Sequence, residues 1–420
     1  MFKKTIKLIG LFLFIGLLQA ESYAYPFDGY YLTGIRRLVR LHLIMIGALP
    51  DKKPVEGAQK PVMDIHLNLT GIRGDSAAAF PAPDPVLQKS INSLFPNMDE
   101  SYSLCVLDIT PGKPVRYAHR QEKRGFMPGS VAKLAVVASL FNELAKLYPD
   151  SFEQRQKVMR TRMVRAGKWG NYDEHTVPFY FPETRKYFKK VVQESDTFSL
   201  YEWADHMISA SNNAAASILW KEVMLMRAFG ENYPPDSDVE EKFFKETPKS
   251  ELKALAMDVV NGPLRAIGLS KEEFTLGSMF TREAKQMVPG EGGTIASPFG
   301  LMKYIIAMER GLIVDPESSL EIKRLMYATD RRIRYAASPE LTDAAVYFKS
   351  GSLYKCKPEE GFECKKYHGN VNNYMNSVAI VEHPDGTTYM VTLMSNVLRK
   401  NSANDHFALA SSIDKIIRKK

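Results

Sequence analysis

A serine followed three residues later by a lysine puts both side chains on one helix face, a turn apart. A neutral amine there can take the hydroxyl proton, and the helix N-terminus favours the negative charge that develops. This spacing occurs four times in the 420-residue chain, at Ser130, Ser250, Ser352 and Ser412. Only Ser130-Val-Ala-Lys133 follows a turn, Met127-Pro-Gly129, and opens a long apolar run, Leu134-Ala-Val-Val-Ala138. The others lie in a charged stretch, at a strand end and in the basic tail. A second element, Ser211-Asn212-Asn213, interrupts a helix-rich stretch, although Ser-x-Asn also occurs at Ser90 and Ser402. The third, Lys349-Ser350-Gly351, is the one Lys-Ser-Gly in the chain and lies in a strand beginning Val346-Tyr-Phe. Alone, each has a plain reading as a cap, a kink or a strand end, because Ser and Asn favour such positions. Three in this order, each on a suitable element, are far more specific.

The elements that must position these residues are legible from periodicity. Residues 130–148, 200–226 and 297–310 read as apolar helices. Residues 103–109 and 114–119 read as strands joined by the turn Thr110-Pro-Gly-Lys113, and 345–353, 376–382 and 388–395 as three more, the last two joined by His383-Pro-Asp-Gly386. A helix over 402–417 closes the chain. The expected fold class is α+β: an antiparallel five-stranded sheet built from both chain ends with flanking helices, and an inserted all-α subdomain over about residues 130–298.

With these motifs in place the chain resembles the penicillin-recognising serine hydrolases, and most of all class A β-lactamases, from about Asp84 to Lys420. Similar segments include Phe126-Met-Pro-Gly-Ser130-Val-Ala-Lys133-Leu134, residues 200–208, Gly262-Pro263 and Thr294-Ile-Ala-Ser-Pro298. The resemblance implies that Ser130 is the acylated nucleophile and Lys133 its proton acceptor. It implies that Ser211 relays a proton to the leaving nitrogen and Asn213 binds a substrate amide. Lys349 and Ser350 would hold the substrate carboxylate, with Gly351 letting the substrate lie close to the strand. The backbone N–H groups of Ser130 and Ser352 would form an oxyanion hole, such donors being worth about 3–4 kcal/mol each. The substrate class implied is a β-lactam, with a D-Ala-D-Ala stem peptide of peptidoglycan as the alternative; no cofactor and no metal are expected.

Two departures stand out. Asn212 occupies the place where β-lactamases usually carry Asp. The Glu-x-x-Leu-Asn loop, whose Glu activates the deacylating water in that family, corresponds here to residues 280–290. Glu283 is present but out of register, the ungapped alignment puts Thr281 at the position of the base, and Glu291 has no better warrant. Glu283 is carried as the tentative base. Its mismatch favours a D-alanyl-D-alanine carboxypeptidase or endopeptidase as the second reading. A third, from another class, is a non-catalytic or covalently acylated wall-binding or sensor protein.

Composition sets the outer bounds. The chain is 45% hydrophobic and 25% charged, which excludes global disorder. The net charge of +8 comes from dispersed basic residues, so no nucleic-acid partner is expected, whereas an acidic wall polymer fits. Residues 1–24, with Lys3, Lys4 and Lys7, an apolar stretch and Ser22-Tyr-Ala24, read as a secretory signal peptide, giving a periplasmic or secreted protein without a membrane span after cleavage. Residues 25–83 form an N-terminal extension and linker of unreadable role, ending in the Pro/Ala run 77–85. In an oxidising compartment Cys356 and Cys364 are expected to pair, leaving Cys105 as a buried strand thiol. Asp205-His206 reads as a surface pair, and the aromatic stretch 169–188 as a packed insertion.

Overall fold

A computed structural model describes residues 25–328 and 332–419. The expected signal peptide lies outside the described residues. Strands β1 (Ser103–Asp108), β2 (Arg116–Arg120), β3 (Ala345–Lys355), β4 (Asn372–Glu382) and β5 (Thr388–Asn396) form one five-stranded sheet in the order β2-β1-β5-β4-β3. Every pairing in it is antiparallel. The sheet has the five expected strands, built from both chain ends.

β1 is buried at every position because both faces of the sheet are covered, so its sequence is a continuous apolar run rather than an alternation. Alternation survives in where the side chains go. Cys105, Leu107, Val378, Ile380 and Met390 join the larger core, which holds the helical region. Leu104, Val106, Ala379, Val381 and Val391 join a second core under the closing helix Ala403–Arg418 and the helix Pro85–Asn92. The Cys105 thiol contacts the Tyr117 hydroxyl at 3.3 Å, and burial pushes its pKa up to about 12.

The helix Lys133–Leu147 runs through the larger core, buried almost all round. The stretch 200–226, expected as one helix, is two: Leu200–Ile208 and Asn213–Phe229, broken at Ser211, whose φ is +57°. Most of residues 169–188 form a hairpin, Thr176–Phe181 with Lys186–Val191, so the inserted region, expected as all-α, is corrected: it also carries short strands, whose aromatic residues pack across the hairpin. Phe179 stacks on Phe188 and packs against Phe198, while the Arg40 guanidinium lies 4.1 Å from the centre of the Tyr187 ring.

Residues 25–83 are integrated into the body of the protein. Ile35, Leu38, Leu41, Ile44, Val62, Ile65 and Leu69 share the larger core with Leu134. The Pro/Ala run is pinned by Phe80, whose ring packs on Tyr117 and Phe299. The segment ties the two halves together. Arg36 pairs with Glu202 and Arg37 with Asp205 on the helical side, while Lys60 and Asn68 bind Glu382 on β4. Asp205 and His206 are therefore corrected: they are 0% and 2% exposed, not a surface pair. Their polarity suggested solvent, but the Arg37 guanidinium, with two hydrogen bonds of 2.6 Å to Asp205, supplies the partner that a buried carboxylate requires.

Candidate active site

The site lies where the start of the Lys133 helix meets the edge strand β3 and the Ser211 turn. Gly129–Ala132 is a turn of 3-10 helix leading into the helix Lys133–Leu147, so Ser130 sits just before the α-helix proper. Two glycines permit the approach of strand and turn. A Cβ on Gly351 would lie 2.0 Å from the Pro128 carbonyl oxygen and 3.0 Å from the Ser130 nitrogen. Gly129 has φ +55°, and a Cβ there would lie 2.8 Å from the Ser352 nitrogen. Across the ladder, Asn376 pairs with Gly351 and donates from Nδ2 to the Met127 carbonyl at 3.0 Å, tying β4 to the same turn. The backbone nitrogens of Ser130 and Ser352, the expected oxyanion donors, thus belong to segments in direct contact.

Lys133 is fully buried, and its Nζ has three hydrogen-bond partners: Ser130 Oγ at 3.0 Å, Asn213 Oδ1 at 2.7 Å and the Ser211 carbonyl. Two of these only accept. A neutral amine places its two hydrogens on them and turns its lone pair to the Ser130 hydroxyl. Burial lowers the Lys133 pKa to about 7, although the Asp173 carboxylate pulls the other way. The arrangement is that of a base aimed at a nucleophile. On the far side of the cleft, Lys349 Nζ donates to Ser211 Oγ at 2.9 Å. Burial, then the charges of Lys133 and Arg334, hold the Lys349 pKa well below the usual lysine value.

The break at Ser211 has a local cause. Asn212 is the N-cap of the helix Asn213–Phe229, its Oδ1 accepting from the Ala215 N–H at 2.7 Å while its Nδ2 donates to the His175 carbonyl at 2.9 Å. Asn and Asp cap helices about equally well, which accounts physically for Asn where the resembled family has Asp. Ser211 is left-handed, a conformation that costs a non-glycine residue about 1–3 kcal/mol and clusters at functional sites.

Ser130, Lys133, Ser211, Asn213, Lys349, Ser350, Gly351 and Ser352 are therefore brought together. Glu283 is not. It lies partly exposed on the helix Arg282–Met287 and, among the described residues, makes no hydrogen bond or ion pair with Ser130, Lys133, Ser211 or Asn213. Thr281 is buried, its hydroxyl donating to the Trp169 carbonyl at 2.7 Å beside Ser217, and Glu291 is exposed. Beyond the motifs, Arg334 donates to the Gly351 carbonyl at 3.3 Å and to Ser352 Oγ at 3.1 Å, and the Phe280 ring centre lies 5.2 Å from Lys133 Nζ. Asp173 accepts from the Asn213 and Ala214 N–H groups, and from Asn213 Nδ2. Neither Asp173 nor Arg334 carries a motif: Asp173 reaches the site from a loop and Arg334 from the start of a short 3-10 turn, Arg334–Ala337.

Cys356 and Cys364 form a disulfide immediately beyond the end of β3. Among the described residues no helix is long and apolar enough to cross a membrane.

Residues 251–417 match the model of the β-lactamase enzyme family. A search of curated proteins found no match. Among solved structures, the chain is similar to a class A β-lactamase representative from Bacteroides cellulosilyticus, at 16% identity and a TM-score of 0.51, covering 80% of this chain and 97% of that one. It is also similar to a β-lactamase from Chitinophaga pinensis (14%, TM-score 0.48, 79% and 97% covered) and to PBP-A (13%, TM-score 0.47, 79% and 95% covered). Residues 251–417 thus match the β-lactamase enzyme family, and the chain has the fold of the class A β-lactamase from Bacteroides cellulosilyticus.

Proposed function

We propose that this protein is an exported serine hydrolase whose Ser130 opens β-lactams to form an acyl-enzyme. The observation that carries the reading is the Lys133 amine, buried, 3.0 Å from Ser130 Oγ, with its other two partners both acceptors. In this reading Lys133 takes the Ser130 proton as Oγ attacks the lactam carbonyl. Ser211, bridged to Lys349, returns a proton to the departing nitrogen, and Asn213 binds the substrate amide. Lys349 and Ser350 bind its carboxylate, beside the close-packed Gly351, and the N–H groups of Ser130 and Ser352 hold the oxyanion. The basic leader Lys3, Lys4 and Lys7 and the Cys356–Cys364 disulfide support export to an oxidising compartment.

A second reading, a D-alanyl-D-alanine peptidase on peptidoglycan stems, is favoured by the position of Glu283 outside the hydrogen-bonded cluster and of Thr281 in the register of the deacylating base. The two readings share acylation and differ in how fast water removes the acyl group. A fluorescent penicillin followed over time separates them: label that appears and vanishes quickly supports β-lactam hydrolysis through Glu283 or another base, and Glu283→Gln then accumulates adduct if Glu283 serves. Persistent label, with D-Ala released from a stem peptide, supports the peptidase. Persistent label without such release supports an acylated sensor. Absence of label, or labelling that survives Ser130→Ala, overturns the assignment of Ser130.

A further inference from the structure

The site contains a buried carboxylate that the motifs do not account for. Asp173 is 5% exposed and lies in the loop between the 3-10 turn Gly167–Gly170 and the hairpin. Its Oδ2 accepts from the Asn213 N–H at 2.6 Å and the Ala214 N–H at 3.0 Å, both at the start of the helix Asn213–Phe229. Its Oδ1 accepts from Asn213 Nδ2 at 3.3 Å and is 2.6 Å from His175 Nδ1. A carboxylate only accepts, so its contact with the Asn213 side chain decides which end of that amide turns away. The NH2 faces Asp173, and Oδ1 is left to face Lys133 Nζ at 2.7 Å.

That orientation matters for the base. With Oδ1 toward it, the neutral Lys133 amine donates to Asn213 and to the Ser211 carbonyl, and its lone pair remains for the Ser130 hydroxyl. With the amide reversed, Asn213 would donate into that lone pair and divert it from Ser130. Resting on the proposed acylation at Ser130, we infer that Asp173 is a positioning residue: it fixes the Asn213 amide so that the Lys133 lone pair faces Ser130. Its charge favours the protonated amine, against the burial that lowers the Lys133 pKa. Burial raises the Asp173 pKa, but the His175 hydrogen bond and charge, the Lys133 charge and the Ala214 N–H outweigh it, so the carboxyl stays below the usual range. The other charges acting at this spot are Lys349, which repels Lys133, and Arg334, which acts on Lys349.

The test is the pH profile of acylation by fluorescent penicillin in the wild type, Asp173→Asn and His175→Gln. Asp173→Asn removes the charge and lets the Asn213 amide reverse. Its acylation is expected to slow at least tenfold at its optimum, with the acidic limb moved down by about one pH unit. His175→Gln changes a partly exposed side chain, keeps a donor to Asp173 and removes the neutralising charge, so its limb is expected to move up. Opposite movements are a signature that loss of folded protein does not produce. If the wild type labels and both variants keep its limb, or if Asp173→Asn fails to fold and His175→Gln keeps the limb, Asp173 does not position the base. If the wild type does not label at all, the reading of Ser130 falls instead.

Discussion

Lys133→Met tests whether the site lysine is held neutral by burial. Methionine keeps an unbranched apolar stem and removes the amine. The unfolded chain binds the Lys133 proton with the ordinary lysine pKa of 10.5, the folded protein at about 7. A group whose folded pKa is the lower one makes the unfolded state hold more protons, so wild-type stability rises with pH between those values, and the penalty is fully present below pH 7. At about 1.4 kcal/mol per pH unit the whole penalty is about 5 kcal/mol, of which about 4 remains at pH 7 and about 1 at pH 9.5. The variant escapes it but loses three hydrogen bonds worth about 1 kcal/mol each. Lys133→Met is therefore expected to gain stability relative to the wild type as the pH falls, by about 3 kcal/mol between pH 9.5 and pH 7. Urea denaturation of both proteins at several pH values measures the difference, in which groups common to both cancel to first order. A difference that stays flat with pH would refute the neutral-base argument, whatever the variant does to acylation.

Gly351→Ala places a Cβ 2.0 Å from the Pro128 oxygen, so β3 must move off the Ser130 turn. It should cost about 1–3 kcal/mol of stability and slow penicillin acylation by about a hundredfold or more; near-normal acylation would mean that the close approach is dispensable. Arg37→Ala leaves the fully buried Asp205 without its guanidinium and should cost about 3–5 kcal/mol in urea denaturation, whereas Arg36→Ala, at a side chain 34% exposed, should cost clearly less; equal losses would refute the distinction. Unfolded, unreduced protein should titrate as one thiol, Cys105, with Cys356 and Cys364 closed; three thiols would refute the pairing.

The sheet was readable because both covered faces leave apolar runs such as Leu104–Leu107 and Val378–Val381 near turn signals, at Thr110-Pro-Gly-Lys113 and His383-Pro-Asp-Gly386. Ser130, Lys133, Ser211, Asn213 and Lys349 were readable because each sits at a place in its element that leaves its own mark. Ser130 follows Pro-Gly and precedes an apolar helix, Ser211 breaks one, and Lys349 lies in a buried strand. The hairpin at 176–191 leaves a weaker signal, Pro182-Glu-Thr-Arg185 between two aromatic-rich runs. Asp173 left almost none. It sits in Asn171-Tyr-Asp-Glu-His175 without periodicity, and its function exists only where the helix Asn213–Phe229 turns its first amides toward it.

Charge was the least legible property, and the extension shows why. Its helix Arg36–Met45 presents Arg37 toward the core as surely as it presents Leu38 and Leu41, yet the sequence marks only the leucines as buried. The partner, Asp205, lies 168 positions away. Each residue alone reads as solvent-facing, because burying either charge unpaired would cost several kcal/mol. The pair becomes affordable only when both are placed, and neither position predicts the other. The same reasoning covers Lys323, which lies fully buried between Glu309 and Glu382, each 2.7 Å away. Lys60 and Asn68 of the extension complete that cluster through Glu382. The extension thus meets the helix that leads into the Ser211 turn with one set of charges and strand β4, beside β3, with another. These elements adjoin those that carry Ser211 and Lys349, so the extension is tied to both sides of the site although its own sequence carries no sign of the chemistry.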